Sequence, residues 1–183
     1  MRTGCAPYAG GVGVLDGWRL CPRCGHELDR ASGRATCPGC GSTYYANSAP
    51  AVEGLLEREG KVLLARRRGE PRRGFWDVPG GFLEEGEEPL DGLRREFREE
   101  TGIAIEPVEW LGTHLEPYDG YYVLGLTWRV RGDGEPRAGD DVSELAWFGP
   151  GELPAELAFA HQDRLLRDWE LGVTSRKDGP NGS

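Results

Sequence analysis

The stretch GFLEEGEEPLDGLRREFREETGI runs from Gly81 to Ile103, and its second half decides how the chain is read. Pro89 suits the first turn of a helix and Gly102 the residue just past its end, so the pattern predicts a helix over Pro89–Thr101. At ~100° per residue from Leu90, Leu93 falls near ~300° and Phe97 near ~340°, which marks a buried stripe. Glu96, Glu99 and Glu100 fall near ~240°, ~180° and ~280°, whereas Arg94, Arg98 and Arg95 fall near ~40°, ~80° and ~140°. The acids take one flank and the arginines the other. Like charges three or four apart cost roughly 0.2–0.5 kcal/mol a pair, so an ordinary solvated face would mix the signs. Three converging carboxylates, with Glu87 available from the preceding loop, suit a hard cation such as Mg²⁺ or Mn²⁺.

Outward from this helix the chain alternates strands and turns. The run AVEGLLEREGKVLLARRR, from Ala51 to Arg68, predicts a hairpin of strands near Ala51–Glu57 and Lys61–Arg67 about Glu59-Gly60. Phe75–Pro79 predicts a short strand ending in Gly80-Gly81. Behind the helix, strands are expected at Ile103–Leu111, Tyr121–Arg131 and Glu144–Phe148, and a last helix near Ala160–Trp169. Strands on both sides of a central helix, with another helix behind, predict an α/β layer sandwich.

The N-terminal part carries Cys21-Pro-Arg-Cys24-Gly and Cys37-Pro-Gly-Cys40-Gly, two CxxC pairs twelve residues apart. Four thiolates so placed close a tetrahedral Zn²⁺ site, and a structural zinc supplies roughly 10–16 kcal/mol of folding energy that so short a segment cannot draw from apolar burial. Four sulfurs complete the site, which makes His26 a bystander. Arginines 19, 23, 30 and 34 stand against Glu27 and Asp29, and a zinc with four thiolates cancels that excess. A neutral ribbon fits a structural module better than a nucleic-acid reader. The expected organisation is a flexible leader over 1–17 with Cys5 as a spare thiol, a zinc ribbon over 18–46, a catalytic domain over 50–172 and a disordered tail over 173–183.

The bulk numbers bound the function. A formal charge of −9 over 183 residues argues against binding to nucleic acid through phosphate neutralisation. It also requires a cation between the chain and any phosphate substrate. The longest apolar run falls short of a membrane span, and the first twenty residues lack a secretory signal, so a cytoplasmic location is expected.

The central segment resembles the Nudix box: glycine, five residues, glutamate, seven residues, then Arg-Glu-apolar-x-Glu-Glu-x-Gly-apolar. Every defined position matches, from Gly81 and Glu87 through Arg95-Glu96 to Glu99-Glu100 and Gly102-Ile103, and Phe75-Trp76-Asp77-Val78-Pro79-Gly80 is similar to the strand that enters the box. The resemblance implies the Nudix fold, a mixed sheet between helices, here preceded by the ribbon. It implies that Glu96, Glu99 and Glu100 bind Mg²⁺ or Mn²⁺, that Glu87 and Arg95 brace the loop as an ion pair, and that Gly81 allows a backbone turn aiming a carbonyl at the metal.

A zinc ribbon ahead of a Nudix-like segment resembles two groups, NADH pyrophosphatases and a shorter group of FAD and ADP-ribose pyrophosphatases. NADH pyrophosphatases carry Ser-Gln-Pro-Trp-Pro-Phe-Pro-x-Ser beyond the box, and THLEPYDGYY at Thr113–Tyr122 does not match it. The shorter group fits better, in length, in Tyr44–Asn47 and in Leu157-Ala158-Phe159. The expected activity is therefore metal-dependent hydrolysis of a pyrophosphate bond in a nucleoside diphosphate linked to another moiety, FAD-, ADP-ribose- or NADH-like. The alternatives are a triphosphate-sanitising or RNA-cap-removing hydrolase and a non-catalytic nucleotide-sensing regulator; a homodimer stays open.

Outside the box, Asp141 is the first choice for a further acid and catalytic base, with Glu144 second. In the basic loop of Arg66, Arg67, Arg68, Arg72 and Arg73, Arg67 and Arg73 are the candidates for substrate phosphate, joined by Gly81. Tyr44, Tyr118, Tyr121 and Tyr122 offer rings for a base, although sheet spacing suits core or rim. His114 and His161 have no partner that the sequence identifies.

Overall fold

The computed structural model describes residues 13–172. The tail expected at 173–183, the leader up to residue 12 and Cys5 lie outside the described residues. The chain divides into two compact units: residues up to Ala49 with Pro117–Val123, and Pro50–Glu116 with the chain from Leu124 onward.

In the first unit β1 (Asp29–Ala31), β2 (Arg34–Thr36) and β3 (Thr43–Tyr45) form an antiparallel sheet in the order β1-β2-β3. Its core holds Leu15, Cys21, Leu28, Ala35 and Cys37, with Tyr44 and Ala46 packed against it. Leu15 lies in the stretch expected to be a leader, yet it is buried, and its carbonyl accepts a bond from Arg30. One apolar side chain in a Gly-rich run gives no periodicity to read.

The rest of the chain forms β4 (Ala49–Arg58), β5 (Lys61–Arg67), β6 (Trp76–Asp77), β7 (Gly80–Phe82), α1 (Pro89–Thr101), β8 (Ala104–Tyr118), β9 (Tyr121–Asp133), β10 (Val142–Phe148) and α2 (Ala160–Glu170), of which Ala49 and the β8–β9 turn from Pro117 to Val123 group with the first unit. The sheet runs β10-β5-β4-β9-β8, with β6 beside β5 and β7 beside β4. Antiparallel pairs join β10, β5, β4, β6 and β7, and a parallel bridge from Trp76 to Leu157 makes the arrangement mixed.

Strand alternation puts one helix on each face. Val52, Leu56 and Leu63 pack with Leu93 and Phe97 of α1, whereas Leu55, Val62 and Leu64 pack with Leu166 of α2. The approach of α1 is close at Gly54, where a Cβ would meet the Phe97 ring at 2.6 Å. α1 has the bounds its sequence predicts, ending at Gly102 with φ 71°. Its buried residues run from Gly92 and Leu93 to Phe97, Glu100 and Thr101, while Leu90 is exposed, so the buried stripe is rotated toward the acids.

The larger difference is β8. The sequence suggests a strand ending near Leu111, but β8 continues to Tyr118 and turns at Asp119-Gly120 into β9. Pro107 and Pro117 weaken the strand reading, and β8 tolerates them because it is an edge strand. This extension carries His114 and Glu116 onto the sheet.

Candidate active site

Arg95 organises the acids of α1. Its Nε and Nη2 each donate to the Glu87 carboxylate at 2.9 Å, and Nη2 also donates to the Phe82 carbonyl at 3.1 Å. Nη1 reaches Glu96 at 2.8 Å and Glu99 at 3.0 Å. The guanidinium thus crosses from its own flank to the acidic one, so the two charges are less segregated than a helical projection of backbone positions implies. The Arg95 bond, followed by the Glu84 amide, holds the Glu87 carboxyl down at about 2.

Glu96 and Glu100 face inward from α1 onto β7. A Cβ at Gly81 would lie 2.5 Å from the Glu96 carboxylate carbon, so only glycine leaves room for that carboxylate. The unusual backbone belongs to the residue before it: Gly80 has φ 155°, and a Cβ there would collide with the Val52 carbonyl. The unusual φ thus belongs to Gly80, while Gly81 gives the Glu96 carboxylate close approach. Glu100 accepts the Gly80 amide at 2.8 Å. Burial pushes the Glu100 carboxyl well above its ordinary value against the pull of that amide, with Asp77, Asp141 and Glu96 adding repulsion. Burial also raises Glu96; Arg95 opposes, and Glu99 and Asp141 add to the rise. Glu99 is the outermost of the three, with its side chain 46% exposed.

The loop before β10 brings Asp141 to these acids. The Arg137 amide donates to the Thr101 carbonyl at 2.8 Å and the Gly139 amide to the Glu100 carbonyl at 3.0 Å, capping the C-terminal end of α1. A Cβ at Gly139 would collide with the Glu99 carbonyl. Glycine at 139 thus seats the loop on the helix and delivers the next acids to its end.

Glu96, Glu99 and Glu100 of α1, with Asp141 near enough to raise Glu96 and Glu100, offer oxygen donors only, and burial raises two of them. That chemistry fits a hard divalent cation, which neutralises such a set without needing soft ligands. The ribbon's donors fit a different ion. The Sγ atoms of Cys21 and Cys40 lie 3.7 Å apart and those of Cys24 and Cys37 3.4 Å apart. A zinc tetrahedron with ~2.3 Å bonds has edges of about 3.8 Å. Both knuckles fold alike: Gly25 and Gly41, at φ 76° and 73°, return their amides to the carbonyls of Cys21 and Cys37. The Tyr44 hydroxyl draws the Cys21 thiol down to about 6. At Cys24 the His26 amide pulls down, but the Cys37 sulfur and burial outweigh it and push the thiol up to about 12.

A family model described as the NUDIX domain matches residues 47–169. The chain belongs to the NUDIX family. An ADP-ribose pyrophosphatase from Methanocaldococcus jannaschii is 36% identical over 129 residues, covering 68% of this chain and 75% of that protein. An NAD-capped RNA hydrolase NudC from Stutzerimonas stutzeri is 31% identical over 153 residues, covering 81% of this chain. The chain spans about half the length of that relative, 54%. The crystal structure of a NUDIX hydrolase from Nitrosomonas europaea superposes with a TM-score of 0.73 at 31% identity, covering 84% of this chain and 91% of that one. Among the described residues no helix is long and apolar enough to cross a membrane.

The remaining candidates of this NUDIX chain are dispersed. Arg67 turns inward, donating to Asp77 at 2.7 Å and to the Pro71 carbonyl at 2.9 Å, with its guanidinium 5.4 Å from the Phe159 ring centre. Arg73 is exposed on the loop. Arg66 pairs with Glu144 at 3.2 Å, which points that second-choice acid at a cation. Arg68 holds the Asp140 and Val142 carbonyls on either side of Asp141. Tyr44 belongs to the ribbon, its hydroxyl 3.3 Å from Cys21 Sγ, and Tyr118 and Tyr121 lie ring to ring at 5.5 Å beside the hairpin turn. Sequence reasoning missed Glu53, which His161 meets at 3.0 Å and His114 at 3.8 Å. The available signal was a lone acid inside the apolar run Ala51–Leu56.

Proposed function

We propose that this NUDIX hydrolase cleaves the pyrophosphate bond of a nucleoside diphosphate joined to a second moiety, an ADP-ribose-, FAD- or NADH-like substrate, with Mg²⁺ or Mn²⁺. What supports this reading is the grouping of acids beside Gly80-Gly81: Glu96 against Gly81, Glu100 on the Gly80 amide, Asp141 near enough to raise both, and Arg95 holding Glu87, Glu96 and Glu99. The similarity to an ADP-ribose pyrophosphatase and to NAD-capped RNA hydrolases supports a dinucleotide-like substrate. Glu96, Glu99 and Glu100 would hold the divalent ions, which supply a water of lowered pKa and neutralise charge developing on the phosphoryl oxygens. Arg95 keeps the loop closed against the helix and holds Glu96 and Glu99 in place. Asp141 would take the proton of the attacking water, since the box glutamates would serve as ligands. The cysteines of the ribbon would hold Zn²⁺ as a folding element.

A panel of ADP-ribose, FAD, NADH, nucleoside triphosphates and NAD-capped RNA, each with Mg²⁺ and Mn²⁺, tests the reading. ADP-ribose, FAD or NADH should be cleaved with the highest kcat/KM, giving two phosphorylated products. Preferential release of pyrophosphate from triphosphates, or preference for capped RNA, would replace the substrate class. Binding without turnover anywhere in the panel would replace catalysis with nucleotide sensing.

A further inference from the structure

On the face of the sheet opposite α1, three side chains from three distant elements meet. Glu53 comes from β4, His114 from β8 and His161 from the first turn of α2. One ligand atom of each lies within 4.8 Å of the others. His161 Nε2 is 3.0 Å from Glu53 Oε2, and His114 Nδ1 is 3.8 Å from Glu53 Oε1. Glu53 is only 7% exposed, and the two imidazole side chains are 17% and 13% exposed.

Hydrogen bonding alone accounts for half of this arrangement. Glu116 accepts both the backbone amide of His161 at 2.9 Å and its Nδ1 at 3.1 Å, so one carboxylate caps α2 and fixes the ring. Thr127 donates to Glu53 at 2.7 Å. His114 is held less firmly, its Nδ1 lying 3.5 Å from the Thr127 hydroxyl, at the outer limit of a hydrogen bond. Its ring stacks on His161 with centroids 3.4 Å apart and planes 10° apart, while its approach to Glu53 at 3.8 Å is too long for a hydrogen bond. Its position is nonetheless specific, because a Cβ at Gly125 would collide with His114 Nε2. Glycine at 125 leaves the space that this imidazole fills.

We propose that Glu53, His114 and His161 form a second metal site, separate from the carboxylates of α1 and from the ribbon, for a transition-metal ion of the Zn²⁺ class. Measured to the one oxygen Glu53 Oε1, His161 Nε2 lies at 3.1 Å and His114 Nδ1 at 3.8 Å, against about 3.3–3.4 Å between ligands ~2.0–2.1 Å from a tetrahedral ion. The stacked His114 ring must turn from its present plane for both nitrogens to face that ion. Two imidazoles and a carboxylate select Zn²⁺ over Mg²⁺ or Ca²⁺, and three protein ligands leave a fourth position for water or another small ligand. A metal-binding histidine ordinarily donates its other nitrogen to a carboxylate, and Glu116 stands at His161 Nδ1 for that purpose. The site ties the first turn of α2 to β4 and β8. It stands whether or not the carboxylates of α1 hydrolyse anything.

The test uses the full chain with its ribbon loaded with zinc and excess Mg²⁺ present to occupy the α1 carboxylates. Zn²⁺ titration should add one further equivalent per chain. The chain has three histidines, so imidazole ¹⁵N spectra of wild type decide where it binds. His114 and His161 should shift while His26, at the loaded ribbon, stays in place. Glu53→Gln should abolish the added equivalent and keep the first, and Glu116→Gln should weaken it about 10–100-fold. Failure of wild type to take a second equivalent, or uptake that leaves the His114 and His161 signals unmoved, overturns the site; both readings need no variant to fold.

Discussion

The two faces of the sheet meet at Gly80 and use carboxylates in opposite ways. On the α1 face, Glu100 accepts the Gly80 amide, and Glu96 and Asp141 crowd it with like charge. The one basic side chain bonded to Glu96 and Glu99 among the described residues, Arg95, is also spent on Glu87. On the α2 face, Glu53 lies across the β4–β7 pair from Gly80 and is met by two imidazoles and a hydroxyl. Burial raises Glu100, whereas at Glu53 the His161 and His114 rings overcome burial and the carboxyl is lowered. One face is a set of acids short of positive charge; the other is an acid already provided with nitrogen donors. Burial alone does not fix the character of an acid, and its neighbours decide which ion it suits.

Substitution on the α1 face should break the comparison most sharply. Glu99→Gln and Glu100→Gln should each lower kcat by roughly 10³-fold, the loss of several kcal/mol of charge stabilisation, in steady-state assays at saturating Mg²⁺. Near-normal turnover in either would remove it from the metal site. Asp141→Asn should lower kcat about 10²-fold with KM little changed, and higher pH should restore part of it because hydroxide then needs no base. Unchanged kinetics would send the proton to Glu144 or to a box glutamate.

The ribbon provides a control, since its donors are sulfurs. Cys37→Ser should cost the chain its tightly held zinc, read by metal analysis of the purified protein, and should unfold the ribbon. Retention of a full equivalent on the ribbon would contradict four-sulfur ligation.

The smallest effect concerns stability. Glu96 and Glu100 have raised values in the folded chain, so the folded state holds more protons than the unfolded one near and above the ordinary carboxylate range. Stability of the metal-free protein should therefore fall as pH rises from that range through the raised values. Thermal melts in chelator should show the fall; Mg²⁺ or Glu100→Gln should flatten it by roughly 2–4 °C, the response of a chain this size to 1 kcal/mol. A melt that rises across the same window in chelator would show that these acids are ionised and compensated.

What the sequence made legible was local. The CxxC knuckles and the acids of α1 lie within a few residues of each other, so spacing and helical period place them. Asp141 was reachable as an acid near a strand, but the Gly139 contact that seats it on α1 depends on tertiary approach. Glu53, His114 and His161 come from strands and a helix far apart in the chain, and no window contains two of them. Pro107 and Pro117 also hid the length of β8, and with it the strand that brings His114 in.

Arg95 carries one more consequence. Its Nη1 lies between Glu96 and Glu99, where the proposed function places a divalent ion, so the helix already has a resident counterion. The acids are kept in position before any metal arrives, and an incoming ion must compete with a tethered guanidinium. Loading then becomes an exchange between two cations on a preformed surface. Such an exchange favours modest affinity and rapid turnover of the ion, so the working level of bound metal should follow its free concentration.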